Sequence, residues 1–378
     1  MRDRPVHLTP KGNFVKLQRS GYLAGIALTA TLALAACGSD NNSTGSGSAA
    51  SAAPGSCGTG ALTAQGSTAQ KNAMDEWTKK YSAKCSGASV NYQGTGSGAG
   101  VQAFIQGTAD FAGSDSYLKD DEQKQADAKC GGGPALNIPM VIGPIAVVYN
   151  LDGVTGLQFD APTLAKIFSG KITKWNDPAI AALNTGAKLP DTAIQSVHRS
   201  DESGTTDNFT KYLSKTATAD WTYDHAKAWK APGGTGAAKS DGVAALVKST
   251  AGTIAYVELS FAQNSSLAMA KIKNGAGEFT ELTGDSAGKT IEGAKVVGTG
   301  NDLKMDIDYA TTTAGAYPIV LATYEIACSK GSAKAADIKA FLTYTSSADG
   351  QAALSDLGYA PLPASIQSKV ATAVASIS

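Results

Sequence analysis

The first part of the chain, residues 57–137, alternates short apolar runs with longer stretches in which apolar residues recur at every third or fourth position. In the stretch 69–83, Ala73, Met74, Trp77 and Tyr81 have helical spacing, which predicts a helix whose aromatic side chains pack into the core. The same two patterns predict strands at 60–63, 88–93 and 110–113 and helices at 101–106 and 116–126. Strands that alternate with helices favour a parallel, doubly wound α/β sheet.

A long apolar run at 138–150, rich in β-branched residues, predicts a strand that leaves this first region. A second run at 318–327 predicts a returning strand, and two helices, at 333–345 and 363–377, end the chain. Between the two crossings the alternation resumes, with helical patterns at 161–168, 178–183 and 242–247 and strand patterns at 193–198 and 252–257. We therefore expect a discontinuous domain, residues 57–142 and 318–378, around an inserted domain, residues 143–317.

The amino-terminal segment 1–36 is typical of an export signal and not of the fold. Its basic start precedes an uncharged apolar run at 22–36. The alternative reading of this run is a membrane-anchor helix, for which it is short. The run ends in Leu34-Ala35-Ala36-Cys37-Gly38, which resembles a bacterial lipobox and implies cleavage before Cys37 and a lipid on that cysteine. Residues 38–56 are almost wholly small or polar, which predicts a flexible tether with a span of about 20–25 Å.

Cysteines Cys57, Cys85, Cys130 and Cys328 remain after this leader, and an even number in an exported chain indicates two disulfides. Three pairings are open in principle. Cys57 and Cys85 each lie five residues before an apolar position of a predicted strand, so parallel neighbours would bring them to one sheet end. Antiparallel pairing of the two crossing runs would bring Cys130 to Cys328. We expect the disulfides Cys57–Cys85 and Cys130–Cys328.

Charge narrows the class of ligand. The leader holds five of the 32 basic residues and one of the 32 acidic residues, which leaves 27 basic and 31 acidic residues and a net charge of −4. This balance argues against nucleic acid as a partner. No Cys/His cluster in the sequence indicates a metal site, and we expect no cofactor. An anion would therefore be bound by local dipoles and few charges.

Polar, glycine-rich turns follow predicted strands at 65–69, 94–100, 113–116 and 199–206. In open α/β sheets, ligands bind where such turns converge at the carboxyl ends of the strands. The last turn places the guanidinium of Arg199 and several hydroxyls just before a helix predicted at 207–213, whose unpaired N–H groups favour an anion. Each turn alone has the alternative of an ordinary turn or a capped helix start. Together they predict a site for a small oxyanion between two domains.

Two enzymatic alternatives have weaker support. The segment Gly94-Thr95-Gly96-Ser97-Gly98-Ala99 fits the dinucleotide pattern G-x-G-x-x-A, but the chain is exported and no nearby acid is a persuasive ribose partner. A secreted phosphatase or esterase would need a metal cluster or an activated nucleophile. The serines lack the G-x-S-x-G context, and His198 directly adjoins Arg199, so the sequence favours binding without catalysis.

Six segments, in order from about residue 60, form one recognisable set: Leu62-Thr63 with Gly66-x-Thr68, Asn91-Tyr92-Gln93-Gly94-x-Gly96-Ser97, Asp110-Phe111-x-Gly113-Ser114-Asp115, Lys171-Ile172-Thr173-Lys174-Trp175-Asn176-Asp177-Pro178-Ala179-Ile180, Arg199-x-Asp201-x-Ser203-Gly204-Thr205 and Ala255-Tyr256-Val257-Glu258. The set resembles the phosphate-binding lipoproteins (PstS-type) of high-affinity phosphate ABC importers. The resemblance implies a type II periplasmic-binding-protein fold, two doubly wound α/β domains joined by two crossing hinge strands that close over one phosphate. It also implies a lipid-anchored monomer at the extracytoplasmic face of the cell membrane that delivers phosphate to ABC permease subunits.

Carried over position by position, the resemblance assigns the phosphate ligands to Thr68, Ala69, Ser97, Asp115, Arg199, Ser203, Gly204 and Thr205, with Asp201 orienting Arg199. Asp115 would accept the proton that phosphate retains near neutral pH. Sulfate has no such proton, so Asp115 argues against another tetrahedral oxyanion such as sulfate or molybdate. The alternative role for Asp115 is a helix N-cap.

The chain departs from the family pattern at two positions. Ala69 stands where the family often has an aromatic residue, and Glu202 stands where a small residue is usual. We expect the Glu202 side chain to point outward. Whether Lys239 or Ser240 reaches the site is left open by the sequence.

Overall fold

The structure, a computed structural model, describes residues 57–378. The predicted leader 1–36, the lipidation site Cys37 and the tether 38–56 lie outside the described residues. The described strands are β1 Ala61–Gly66, β2 Ser89–Gly94, β3 Phe111–Ser114, β4 Ala135–Asn150, β5 Gln158–Phe159, β6 Gln195–Arg199, β7 Thr235–Ala237, β8 Thr253–Glu258, β9 Ala268–Met269, β10 Lys271–Lys273, β11 Phe279–Thr280, β12 Lys295–Val296, β13 Met305–Asp306 and β14 Val320–Cys328. The described α-helices are α1 Lys71–Lys84, α2 Ser97–Ile105, α3 Asp120–Cys130, α4 Ala161–Phe168, α5 Pro178–Leu183, α6 Gly204–Thr216, α7 Lys239–Ser249, α8 Leu259–Asn264, α9 Gly284–Glu292, α10 Ala335–Ser346, α11 Ala348–Ala352 and α12 Ala364–Ala375.

One mixed sheet holds nine of these strands, in the order β2-β1-β3-β14-β4-β8-β6-β7, with β9 added beside β4, and two small sheets, β11-β10-β5 and β12-β13, hold the others. Strands β2, β1 and β3 are parallel, and so are β8, β6 and β7. The central strands β14 and β4 are antiparallel to each other and to their outer neighbours. The sheet thus consists of a first half, β2-β1-β3, and a second half, β8-β6-β7, on either side of two long strands. The predicted α/β fold with two crossing strands is confirmed.

Strand β4 takes part in both halves. Its residues 135–144 pair with β14, and its residues 145–150 pair with β8. Every residue of β4 except Asn150 is buried, which explains why the strand reads as a continuous apolar run without alternation. Pro139 cannot donate to the ladder, and the register against β14 shifts next to it, between Thr323 and Tyr324. The assignment of separate domains 57–142 with 318–378, and 143–317, stays a prediction.

Two disulfides join the four described cysteines. Cys57 bonds to Cys85 and Cys130 bonds to Cys328, each with a Cα–Cα distance of 5.3 Å. Strands β1 and β2 are parallel neighbours with the preceding cysteines at the same sheet end. In the antiparallel pair β4–β14, Cys328 lies opposite Ala135, shortly after Cys130 in the chain. These are the pairs that the strand pattern favoured.

Some boundaries differ from those predicted. The helix expected at 116–126 is α3, Asp120–Cys130, because residues 115–119 form a loop at the carboxyl end of β3. Helix α6 starts three residues earlier than expected, at Gly204. The expected core positions Trp77 and Tyr81 are buried, and Trp77 donates to the Gly350 carbonyl at 2.8 Å. Among residues 57–378, no helix has both the length and the apolar character needed to cross a membrane.

Candidate functional site

Helix starts from both halves of the sheet surround the candidate site. The loop after β1 leads into α1, and the loop after β2 leads into α2. From the second half, β6 leads through residues 200–203 into α6, and β7 leads through Ala238 into α7. Unpaired N–H groups and the positive end of a helix dipole lie at each start, so this arrangement favours an anion.

Arg199 is the cationic side chain of the site. It is the last residue of β6 and only 2% exposed. Its Nε and Nη2 donate to the two carboxylate oxygens of Asp201 at 2.8 and 2.5 Å, and Nη1 donates to Ser240 Oγ at 3.3 Å. Burial disfavours the charged form of both partners, yet their mutual hydrogen bonds raise the pKa of Arg199 and lower the pKa of Asp201. The contact geometry is the one expected of an orienting carboxylate.

Asp115 lies in the loop after β3 and is 3% exposed. Its Oδ1 accepts hydrogen bonds from Ser67 Oγ at 2.5 Å and Thr323 Oγ1 at 2.7 Å, and its Oδ2 accepts from Ser97 Oγ at 3.0 Å. Burial raises the pKa of Asp115 to about 6, against the three hydroxyl donors that lower it. Asp115 does not cap α3, whose N-cap residue is Lys119.

The two halves of the sheet touch at the site. The N–H of Gly204 donates to Ser97 Oγ at 3.2 Å, and the Thr68 and Ser240 hydroxyls lie 2.7 Å apart. A Cβ atom at Gly204 would lie 2.5 Å from the Asp115 Cβ and 2.7 Å from Ser97 Oγ, so only glycine permits this approach. Asp115 and Arg199 therefore belong to one enclosed polar cluster contributed by both halves.

The remaining predicted ligands also lie at helix starts. Ser203 is the N-cap of α6, with its Oγ accepting the N–H of Thr206 at 3.3 Å. The Thr205 hydroxyl donates to the buried carboxylate of Glu258 at the end of β8. The N–H of Ala69 donates to Ser67 Oγ at 3.0 Å. The structure brings the predicted residues together, but it engages several of their donors with protein acceptors.

Residues that the sequence analysis did not assign complete the cluster. Ser67 and Thr323 hold Asp115, and Ser240, which was left open, contacts both Thr68 and Arg199. Glu258 was part of a recognised segment without a role. Thr323 is 208 positions from Asp115 in the sequence and follows no local motif, so nothing in the chain alone marks it.

Of the two positions that depart from the family pattern, Ala69 is 1% exposed, whereas Glu202 lies outside the buried cluster, as does Lys239, which the sequence left open. Glu202 is exposed, and its carbonyl accepts the N–H of Gly98 at 3.0 Å. Lys239 is exposed as well, and it contributes its backbone N–H to Asp201 at 2.9 Å. Its φ of 62° is in the left-handed region, which a lysine rarely adopts.

A further carboxylate, Glu325, is buried beneath the loop that carries Ser67. It is 1% exposed and lies opposite Gly113 in the β14–β3 ladder, two residues before Asp115. Neither carboxylate oxygen has a hydrogen-bond partner within residues 57–378. Burial, with a smaller contribution from the charge of Asp115, raises the pKa of Glu325 to about 8. Burial therefore favours the neutral form of Glu325.

The two histidines of residues 57–378 contact other side chains. His198 stacks on Trp229 with ring centroids 4.8 Å apart, and His225 Nδ1 lies 2.7 Å from Asp207 Oδ1. Within residues 57–378, no group of three or more His, Cys, Asp or Glu side chains is placed to hold a metal ion. The arrangement of the cluster suits binding of an anion.

Comparison with known proteins identifies the family. Residues 51–349 match the PBP superfamily domain. Phosphate-binding protein PstS 3 of Mycobacterium tuberculosis is 47% identical over 371 residues, which cover 96% of this chain and 100% of that protein. Phosphate-binding protein PstS of Xylella fastidiosa is 37% identical over 303 residues, 79% of this chain and 80% of that protein. The crystal structure of a phosphate-binding protein from Stenotrophomonas maltophilia shares the fold, with a TM-score of 0.65, 20% identity and coverage of 82% of this chain and 93% of that one. The chain therefore belongs to the PBP superfamily and, within it, to the PstS family of phosphate-binding proteins.

Proposed function

We propose that this protein captures inorganic phosphate between the two halves of its sheet and delivers it to the permease of an ABC importer. The observation that carries the proposal is the joint burial of one cation, Arg199, and one acceptor, Asp115, within a cluster of hydroxyls and helix starts. The family relationship supports the same ligand.

Arg199 accounts for the binding of an anion. With Nε and Nη2 held by Asp201, the Nη1 edge of Arg199 is the part of the guanidinium that would bind phosphate oxygens, together with N–H groups at the start of α6 that exchange their present protein acceptors for the ligand. Thr68, Ser203 and Thr205 add hydroxyls around that edge. In this proposal Ser97 acts mainly through Asp115, because its hydroxyl donates to that carboxylate.

Asp115 accounts for the choice of anion. A carboxylate has about four lone-pair sites, and two hydroxyls occupy those of Oδ1 whereas one occupies Oδ2. The vacant acceptor site on Oδ2 would take the proton that phosphate carries. Sulfate would place an oxygen acceptor against the Asp115 acceptor. An unmade buried hydrogen bond costs about 1–3 kcal/mol, and every 1.4 kcal/mol changes the affinity about tenfold.

Capture requires that the halves separate to admit the ligand. We assign the moving bodies to residues 57–142 with 318–378 and to residues 143–317, with β4 and β14 as the connection. The lipid on Cys37 and the tether that follows it would hold this binding protein, as a monomer, at the extracytoplasmic face of the membrane beside the permease. No reaction is assigned to it.

Calorimetry on the full chain in detergent, first freed of phosphate, tests the proposal. Phosphate is expected to bind at one site per chain, and sulfate at least about a hundredfold more weakly. Equal affinities would refute the role of Asp115, and a preference for sulfate or molybdate would favour another oxyanion importer. Hydrolysis of a chromogenic phosphate ester with turnover would point instead to a phosphatase.

A further inference from the structure

A buried ion pair lies away from the phosphate cluster. Lys227, in the loop between α6 and β7, places its Nζ 2.8 Å from Glu122 Oε1 on α3. The Lys227 side chain is 5% exposed and the Glu122 side chain 19% exposed. Lysine is strongly hydrated and rarely buried to this degree unless it is paired.

This ion pair connects the two halves. Helix α3 follows β3 in the first half, and the loop of Lys227 follows α6 in the second half. Among the ion pairs of residues 57–378, Lys227–Glu122 is the one that spans them.

Each end of the pair is attached to a loop of the proposed phosphate site. The Lys227 carbonyl accepts the N–H of Ser203 at 3.0 Å, directly after the Arg199 turn. Glu122 Oε2 accepts the N–H of Lys119 at 2.9 Å, in the loop that begins with Asp115. Drawing the two charges together therefore draws these two loops together.

Two hydrogen bonds from neutral side chains lie on the same side of the site as the ion pair. Ser116 Oγ donates to Asp207 Oδ2 at 2.6 Å, and Asn208 Nδ2 donates to the Asp115 carbonyl at 2.7 Å. Both join the 115–119 loop to the first five residues of α6. The ion pair is thus part of a continuous seam between the halves.

We propose that Lys227 and Glu122 are affinity-determining residues that hold the halves closed around phosphate without contacting it. This inference rests on the proposed function. When the halves separate, both charges regain water, whereas in the closed form a lone charge would be buried without its partner. Removing one partner therefore penalises the closed form selectively and lets phosphate escape faster.

Lys227→Met and Glu122→Gln test the pair in the full chain with inorganic phosphate. Met keeps the apolar stem of the lysine, and Gln keeps an oxygen for the Lys119 N–H. Each variant is expected to release radiolabelled phosphate about 10–100 times faster, with an association rate within about twofold of wild type. The double variant leaves no lone charge. Its phosphate release rate is therefore expected to be lower than the rate obtained by multiplying the two single-variant increases.

Matched substitutions in ion pairs within one half serve as controls. Lys174→Met breaks the Lys174–Asp191 pair of the second half, and Glu76→Gln breaks the Lys80–Glu76 pair of the first half. Both are expected to leave the release rate unchanged. The melting temperature without phosphate separates a closing role from a structural one, since a closing role leaves it unchanged in Lys227→Met and Glu122→Gln.

Three results would lead to different conclusions about the Lys227–Glu122 ion pair. Wild-type release rates in both test variants would overturn the role of the ion pair while leaving the proposed function intact. A lowered melting temperature without phosphate, together with a wild-type release rate, would assign the pair to folding alone. A wild-type chain that binds no phosphate would overturn the proposed function and the ion-pair role with it.

Discussion

Closure at Gly204 gives the most direct test of the site geometry. Gly204 is the first residue of α6, and a Cβ there would lie 2.5 Å from the Asp115 Cβ and 2.7 Å from Asp115 Oδ2. Its φ lies outside the left-handed region, so alanine fits the backbone and suits a helix. Gly204→Ala should therefore leave each half folded and prevent the halves from meeting.

The magnitude follows from the distances. Ordinary carbon contacts begin near 3.4 Å, so the halves must part by about 0.9 Å at this point. The Gly204–Ser97 hydrogen bond, at 3.2 Å, would then be lost, and the neighbouring Asn208–Asp115 bond would be weakened. At about 1 kcal/mol for each bond, the loss is about 1–2 kcal/mol, or roughly 5- to 30-fold in phosphate affinity.

Calorimetry with phosphate, together with the melting temperature of the ligand-free protein, measures both consequences. Gly242→Ala in α7 is the matched control, because nothing lies within 4 Å of its Cβ position. That variant should bind as wild type does and be as stable or more so. If Gly204→Ala also bound phosphate with wild-type affinity, the direct contact of the halves at Asp115 would not be part of the bound state.

Three further predictions concern charge and protonation. Asp115→Asn should weaken phosphate binding by about 1–3 kcal/mol and narrow the gap to sulfate, since the amide can donate to either anion; an unchanged ratio of the two affinities would contradict this. Arg199→Ala should weaken phosphate binding at least about a hundredfold while the near-ultraviolet circular dichroism stays native, and retained affinity would place the site elsewhere. Because burial raises the pKa of Glu325 to about 8 from its ordinary 4.5, the folded state keeps a proton that the unfolded chain releases, so stability falls as pH rises through that window. Between about pH 5 and 9, the free energy of unfolding measured with urea should fall by on the order of 3 kcal/mol more in wild type than in Glu325→Gln. If that free energy had the same pH dependence in both proteins, the buried neutral acid would be contradicted.

The helix starts of the site could be predicted because their signals are local. Ser203 caps α6 within four residues of Arg199, and the glycine-rich segment 94–100 contains the start of α2 at Ser97. Asp201 is two positions from the guanidinium that it orients. Neighbours in sequence are neighbours in space at these places, so residue types and spacing carry the information.

The residues that hold Asp115 and Thr205 could not be predicted in the same way. Thr323 reaches Asp115 through antiparallel pairing of β14 with β3 and a register shift opposite Pro139. Glu258 reaches Thr205 through the parallel pairing of β6 with β8. A change of one residue in either register would turn these side chains to the opposite face, and a single sequence does not specify register to that accuracy.

Strand β14 pairs with β3 on one side and with β4 on the other, so Thr323 and the loop of Asp115 lie on the same side of the connection between the halves. Because both belong to the first of the two proposed moving bodies, parting of the halves should leave the Thr323–Asp115 hydrogen bond in place. We therefore expect the acceptor that selects the anion to be pre-formed before the ligand arrives, with the second half bringing Arg199 and the start of α6 to it on closure.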